Sequence, residues 1–319
     1  MRRPIPLHRL PLPPAVLRWL LISNLATAGL LGGWYVFQPE GRQSEVRRLV
    51  DGAFARDKNV TFLEIAWDVW QLYYADSASG RVAPGDKTIV YGGAPQLKLS
   101  DGEELRLLTN RGYVVGYSER LRNPRWVAYH MRDLPRIPTP KARPEKFDVD
   151  RRTASRVGSE SYSGSGYDRG HMAPNFAIAT RYGETAQRET FLMSNITPQR
   201  HMLNAGLWRE LEMRIATSYP ARYGEVWVIT GPVFGPSPRT LRGGVAVPDA
   251  FFKIIIDEQD GKLRTLAFLV PQDAPEGADP ARYLTTIDEI ERRTGLDFLP
   301  ELDEPAQRAI EAQRAGRVW

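Results

Sequence analysis

The sequence predicts an α+β domain, and three observations carry that reading. Beyond Lys87 the chain is dominated by short apolar runs bounded by Gly and Pro, the punctuation of strands and turns. Two longer stretches, about residues 201–217 and 281–294, have helical spacing instead. Strands and helices mix without a regular βαβ alternation, which argues against a doubly wound parallel sheet. At 42% hydrophobic and 25% charged, the 319 residues hold enough apolar material for a substantial core.

Residues 1–39 contain no acid. Arg2, Arg3, Arg9 and Arg18 precede an uncharged run of 19 residues, Trp19 to Phe37. As a helix that run measures about 28 Å, close to the roughly 30 Å hydrocarbon core of a bilayer. Trp19 stands at one end, with Trp34 and Tyr35 at the other, where interfacial aromatics belong. The expectation is an N-terminal transmembrane anchor that leaves the rest of the chain on the non-cytoplasmic side. A cleaved secretory signal, a buried helix and a mitochondrial address are the alternatives. Residues 43–80 read as a helical spacer through Val46, Val50, Phe54, Phe62, Ile65, Trp67, Val69 and Leu72.

The strand candidates follow: Thr88 to Tyr91, Tyr113 to Tyr117, Trp126 to Tyr129, Val226 to Ile229, Phe251 to Ile256 and Leu266 to Val270. Gly295 after the second helix is a C-cap candidate, and the tail from Glu304 is charged and Ala-rich.

Charge is uneven. Arg111 to Arg156 holds twelve Lys and Arg against five acids, a local +7 where the whole chain is +5. Such a segment suits a phosphate backbone, which is bound through charge and not through sequence. There is no Cys, so disulfides, thiolate nucleophiles and Cys-bound zinc are all excluded.

Two motifs gather the polar chemistry. Tyr167-Asp168-Arg169-Gly170-His171-Met172 follows the turn-prone Ser163-Gly164-Ser165-Gly166. Its His171 is one of only four His, and imidazole is the natural base for activating water at neutral pH. Downstream, Ser194-Asn195-Ile196-Thr197-Pro198-Gln199 leads into a helix. There Asn204, Trp208 and Glu212, spaced i, i+4, i+8, share one stripe beside Leu203, Leu207 and Leu211.

These motifs resemble the DNA/RNA non-specific endonuclease family. The likeness extends through Tyr91-Gly92-Gly93, Gly112 to Tyr117, Thr230 to Phe234, Val247 to Lys253 and Thr294 to Phe298. It implies a ββα-metal fold with a mixed or antiparallel sheet core. With the reading of the N-terminal residues it divides the chain into a basic segment 1–18, the anchor 19–37, the spacer 38–85, an endonuclease domain 86–303 and the tail 304–319.

The resemblance also implies roles. His171 matches the general base. Asn204 matches the direct ligand of a divalent cation, usually Mg²⁺, with Mn²⁺ or another divalent ion as the alternative. Glu212 matches the acid that holds the ion through water, and Asn195 a polar residue near metal and base. Arg169 is similar to the motif arginine near the phosphate. Arg143 resembles the arginine that steadies the transition state, and Arg136, Arg151 and Arg152 compete for that place. Gln199 and Trp208 complete the motif as supports. The implied reaction is phosphodiester hydrolysis of DNA or RNA with little sequence preference, leaving 5′-phosphate ends. The implied partner is DNA or RNA, bound through its phosphate backbone; the run 19–37 adds a membrane, and self-association stays open.

Two departures stand out. Ala205-Gly206-Leu207 follows Asn204 where many relatives carry Gln, and Ala216 stands where some carry an arginine, with Arg209 or Arg214 as substitutes. A non-enzymatic nucleic-acid-binding module and a phosphodiesterase acting on small or lipid phosphates are the competing readings.

Overall fold

The computed structural model describes residues 14–38, 43, 47, 89–98, 103–259 and 261–319. In chain order the elements are α1 (Pro14–Val36), β1 (Gln96–Leu97), β2 (Arg106–Asn110), β3 (Tyr113–Ser118), β4 (Asn123–Arg132), β5 (Asp168–His171), α2 (Asn175–Glu189) and β6 (Ile196–Gln199). A continuous run of helical turns over residues 201–223, here α3, comes next. Then follow β7 (Glu225–Val233), β8 (Ala250–Gln259), β9 (Lys262–Pro271), β10 (Leu284–Thr285), α4 (Ile287–Thr294), β11 (Leu296–Asp297) and α5 (Glu304–Glu311).

Seven strands make one antiparallel sheet in the order β10-β9-β8-β7-β4-β3-β2. Helices cover both of its faces, so a central strand such as β4 is buried at nine of its ten positions and shows no hydrophobic–polar alternation. Alternation survives as a choice of core. Val127, Tyr129 and Met131 join Leu203, Leu207, Leu211 and Ile215 of α3 in one apolar cluster. Trp126 and Ala128 point the other way, into a cluster with Ile287 and Ile290 of α4 and Ile310 of α5. Strands β5 and β6 form a separate antiparallel pair, with Asp168 opposite Gln199 and His171 opposite Ile196. The α+β class and the antiparallel core are as the sequence implies.

Several expectations need correction. The uncharged run does form a helix, α1, but not the expected membrane span. No helix among the described residues is long and apolar enough to cross a membrane. Ser23, Asn24, Thr27 and the glycines at 29, 32 and 33 dilute the apolar content of the run, and Trp34 packs against the α3-side core. Ile89 to Gly92 is bend and turn, not strand. The second helix begins at Ile287, because Pro280–Tyr283 forms a 3₁₀ turn and Thr286 caps the helix by accepting from the Glu289 N–H. Gly295 ends it in the left-handed conformation, φ 69°, as a glycine C-cap does. Helix α2 is absent from the sequence reading. Pro174 starts it and Gly183, at φ 83°, kinks it, so its apolar periodicity is broken. The spacer expected over 43–80 lies almost wholly outside the described residues.

Candidate active site between the β5–β6 pair, α2 and α3

In the β5–β6 pair Arg169 and His171, two positions apart on one strand, share a face. Gly170 between them permits the pairing, since a Cβ there would run into the Gln199 amide on the opposite strand. Beyond His171 the chain is pinned by Asn195. Its Oδ1 accepts from the Ala173 N–H at 2.8 Å, and its Nδ2 donates to the Ala173 and Thr190 carbonyls at 3.0 and 2.9 Å. The Met172 N–H donates to the Asn195 carbonyl.

A cavity of about 400 Å³ opens beside this strap. It is lined by Arg143, Arg169 and His171, by Asn175 at the start of α2, and by Asn204, Arg209 and Glu212 of α3. Five of the eight expected site residues therefore surround one space: His171, Arg143, Arg169, Asn204 and Glu212. The other three do not line it. Asn195 is fully buried with its amide given over to backbone. Gln199 is buried against Gly170. Trp208 is buried under the Lys253 ammonium, which lies 4.1 Å from its ring centroid.

The displacement of Trp208 has a local cause. Asn204–Trp208 is a π turn, with Gly206 off the helical conformation at φ −98°, ψ −115°. A π turn shifts the register, so i, i+4, i+8 no longer defines one stripe. Asn204 and Glu212 face the cavity while Trp208 joins Leu207 and Leu211 in the core.

Among the arginines weighed for the upstream place, Arg143 alone lines the cavity. Its guanidinium sits 5.2 Å over the Phe191 ring. Arg152 is consumed by structure: it donates to Asp150, to the Thr109 carbonyl and to Asn110. Asp150 also accepts from Ser194, which fastens the 141–153 loop to the segment before β6. Arg136 and Arg151 are not among the lining residues. Arg169 donates to the Ser159 carbonyl and lies near the Tyr162 and Phe147 rings. Of the two arginines weighed as substitutes at the position of Ala216, Arg209 lines the cavity, whereas Arg214 is paired with Glu210 at 2.7 Å.

His171 packs against both the Phe191 and Phe147 rings, at 4.9 and 5.5 Å, and those two rings are 5.0 Å apart. Burial first, and the Arg143 charge second, push its pKa down to about 3, so the imidazole is neutral at neutral pH. Its Nε2 has no hydrogen-bond partner. Glu212 and Lys253 form a buried pair of opposite charge behind the cavity. Burial pushes the carboxyl up and the ammonium down, and each is partly restored by the other; Trp208 and Arg143 also favour the ionised carboxylate.

The donor set suits a hard divalent cation. Asn204 lines the cavity and gives its Nδ2 to Asp168 Oδ2 at 2.9 Å, a bond that does not use its amide oxygen. The same Asp168 oxygen meets His201 Nδ1 at 2.9 Å. Glu212 Oε1 is buried without a partner. Oxygen ligands of this kind fit Mg²⁺ or Mn²⁺ better than softer metals.

Two contributors, Asn175 and Lys253, were not among the expected site residues, and Asp168 was read in its motif without a role. Lys253 did leave a signal, as a lone ammonium inside the apolar run Phe251 to Ile256, a setting lysine rarely occupies unless paired.

The seven-stranded sheet, the β5–β6 pair and the cavity together have the form of a nuclease domain, and comparison with known proteins agrees. Residues 94–304 match the family described as DNA/RNA non-specific endonuclease. The chain is 34% identical to "Nuclease EXOG, mitochondrial" of Danio rerio over 63% of its own length and 62% of that protein's. It is 33% identical to "Endonuclease G, mitochondrial" of Homo sapiens, covering 62% of this chain and 70% of that one. The "Nuclease" of Serratia marcescens is 31% identical, over 65% and 79% of the two chains. The crystal structure of an EndoG/EndoGI complex superposes with a TM-score of 0.56 at 27% identity, covering 62% of this chain and 86% of that one. The chain belongs to the DNA/RNA non-specific endonuclease family, a family of nuclease hydrolases. It spans less than two thirds of the Danio rerio protein's length.

Proposed function

We propose that the domain is a divalent-metal-dependent endonuclease that hydrolyses phosphodiester bonds of DNA or RNA with little sequence preference. The observation that carries this reading is the shared cavity: a neutral imidazole, two oxygen donors and three guanidinium groups around one space. A binding module needs the arginines but has no use for an unpaired base facing a carboxylate and an amide oxygen.

In this reading Asn204 and Glu212 hold the cation, directly and through water. When bound, Mg²⁺ supplies Lewis-acid polarisation of the phosphate. His171 Nε2 takes the proton of the attacking water, a role open to it because it is neutral and unpartnered. Arg143, braced on Phe191, and Arg169, braced on Ser159, stabilise charge on the phosphate as it develops. Asp168 fixes the Asn204 amide, and the Lys253 charge opposes the burial that raises the Glu212 carboxyl. Attack from the His171 side expels the 3′ oxygen and leaves a 5′-phosphate.

Plasmid nicking in Mg²⁺ and in EDTA tests the proposal. Digestion is expected with Mg²⁺ and absent with EDTA; digestion that persists in EDTA refutes the metal mechanism. For location, the relatives named mitochondrial and the acid-free, Arg-rich start favour the mitochondrial address over a membrane anchor. A fluorescent protein fused behind residues 1–40 reports it, and diffuse fluorescence would count against it.

A further inference from the structure

Asn175 begins α2 four residues after His171. Its side chain lines the cavity, and its Oδ1 is closed off from solvent with no hydrogen-bond partner. His171 Nε2 is in the same condition on the same cavity. Leaving a buried acceptor unpaired costs about 1–3 kcal/mol, so both atoms call for a donor that arrives in the cavity.

The two acceptors sit on one rigid strap. Between them Ala173 is held at both its N–H and its carbonyl by Asn195, and Pro174 fixes the backbone before the helix. Their relative position is therefore set by the fold.

The chemistry of the shared occupant can be narrowed. A phosphodiester has no proton to donate. A cation is disfavoured next to the amino end of a helix, which carries partial positive charge, and no side chain caps this one. A water molecule has two donor hydrogens for two acceptors, and its lone pair is then free to point at phosphorus.

We propose that Asn175 Oδ1 and His171 Nε2 hold the attacking water between them, making Asn175 a catalytic residue of the hydrolysis. The inference rests on the reading of His171 as the base. The water gives one proton to His171 Nε2 and keeps the other in the hydrogen bond to Asn175. Its lone pair forms the new O–P bond while the P–O3′ bond breaks. That electron pair leaves on the 3′ oxygen, which is protonated from solvent. The amino end of α2 favours the negative charge that grows on the water oxygen as its proton departs.

The test uses the full chain and a short DNA duplex, with Asn175→Leu, Asn175→Ala and Asn175→Asp. Leucine and alanine remove the acceptor and are good helix formers, so at least one is expected to keep wild-type melting. Aspartate restores an acceptor oxygen. The expected result is a drop in kcat of about 10- to 100-fold for Leu or Ala, the scale of a mispositioned reactant, with KM and DNA affinity in EDTA unchanged. Partial recovery of kcat is expected with Asp. Wild-type kcat in a folded Leu or Ala variant overturns the inference. So does a loss carried by KM and DNA affinity, which would make Asn175 a phosphate contact, and so does an Asp variant no better than Leu. Each series includes His171→Ala. If that variant cuts like wild type, the reading of the base has failed; if it is inactive while Asn175→Leu is unimpaired, only the Asn175 inference has failed.

Discussion

His171 is the residue on which pH acts most directly. Its folded pKa is depressed to about 3 from 6.5 by burial and by Arg143. A group depressed in this way contributes stability that is present above the unfolded pKa and lost as pH falls through the folded one. Denaturant unfolding is therefore expected to show stability declining from pH 6.5 toward pH 3, with a shallower decline in His171→Asn. An unchanged slope would place the imidazole in a more solvated setting. Asn195 makes a different statement. Asn195→Leu leaves the Ala173 N–H and carbonyl and the Thr190 carbonyl without its amide, at about 1–3 kcal/mol for each group left buried and unpaired. A lowered melting temperature is expected even without substrate or metal; a melting temperature equal to wild type would show the clamp to be dispensable.

At the scale of elements, two buried carboxylates set the behaviour. Burial raises the carboxyl of Glu212 on α3, and the charge of Lys253 on β8 opposes that rise. Lys253→Met removes that charge, so the Glu212 pKa is expected to rise and Mg²⁺ affinity at pH 7 to fall. Titration calorimetry reads this, and unchanged affinity would separate Lys253 from the site. On the far face, α4 and α5 bring Glu291 and Glu311 together, with Asp288 alongside. Burial first, and Glu291 second, raise the Glu311 pKa to about 8, while Lys98 pairs with Glu291 at 2.6 Å. A raised folded pKa gives stability that is complete below the ordinary carboxylate range and lost as pH climbs through about 8. Glu311→Gln is expected to flatten the fall in stability between pH 5 and 9; equal slopes for the two proteins would refute the pairing.

At the scale of the whole molecule, the sequence displayed what lies in contiguous motifs and hid what depends on packing. Asp168 to His171 and Asn204 to Glu212 were legible because polar residues recur there at fixed spacing beside apolar ones. The burial of Trp208 was not, because a π turn at Gly206 shifts the register without a residue being added. Asn195 carries a site motif yet is spent on the Ala173 backbone, a use of an amide that spacing cannot display. Asn175 enters the site from a helix the sequence did not display, and Lys253 from a run read as plain strand. The uncharged run at 19–37 made a helix, yet its polar and glycine content stops short of a membrane span. The basic 111–156 segment delivers Arg143 to the cavity and spends Arg152 on the scaffold. The account's central claim is that His171 and Asn204 serve one metal-dependent cleavage from one cavity. The direct measurement is digestion of supercoiled plasmid by the full chain and by His171→Ala, each with Mg²⁺ and with EDTA, alongside DNA retention in EDTA. The expected result is cutting only by the wild-type protein with Mg²⁺, with retention equal in both proteins; cutting by His171→Ala at near wild-type rate would contradict it.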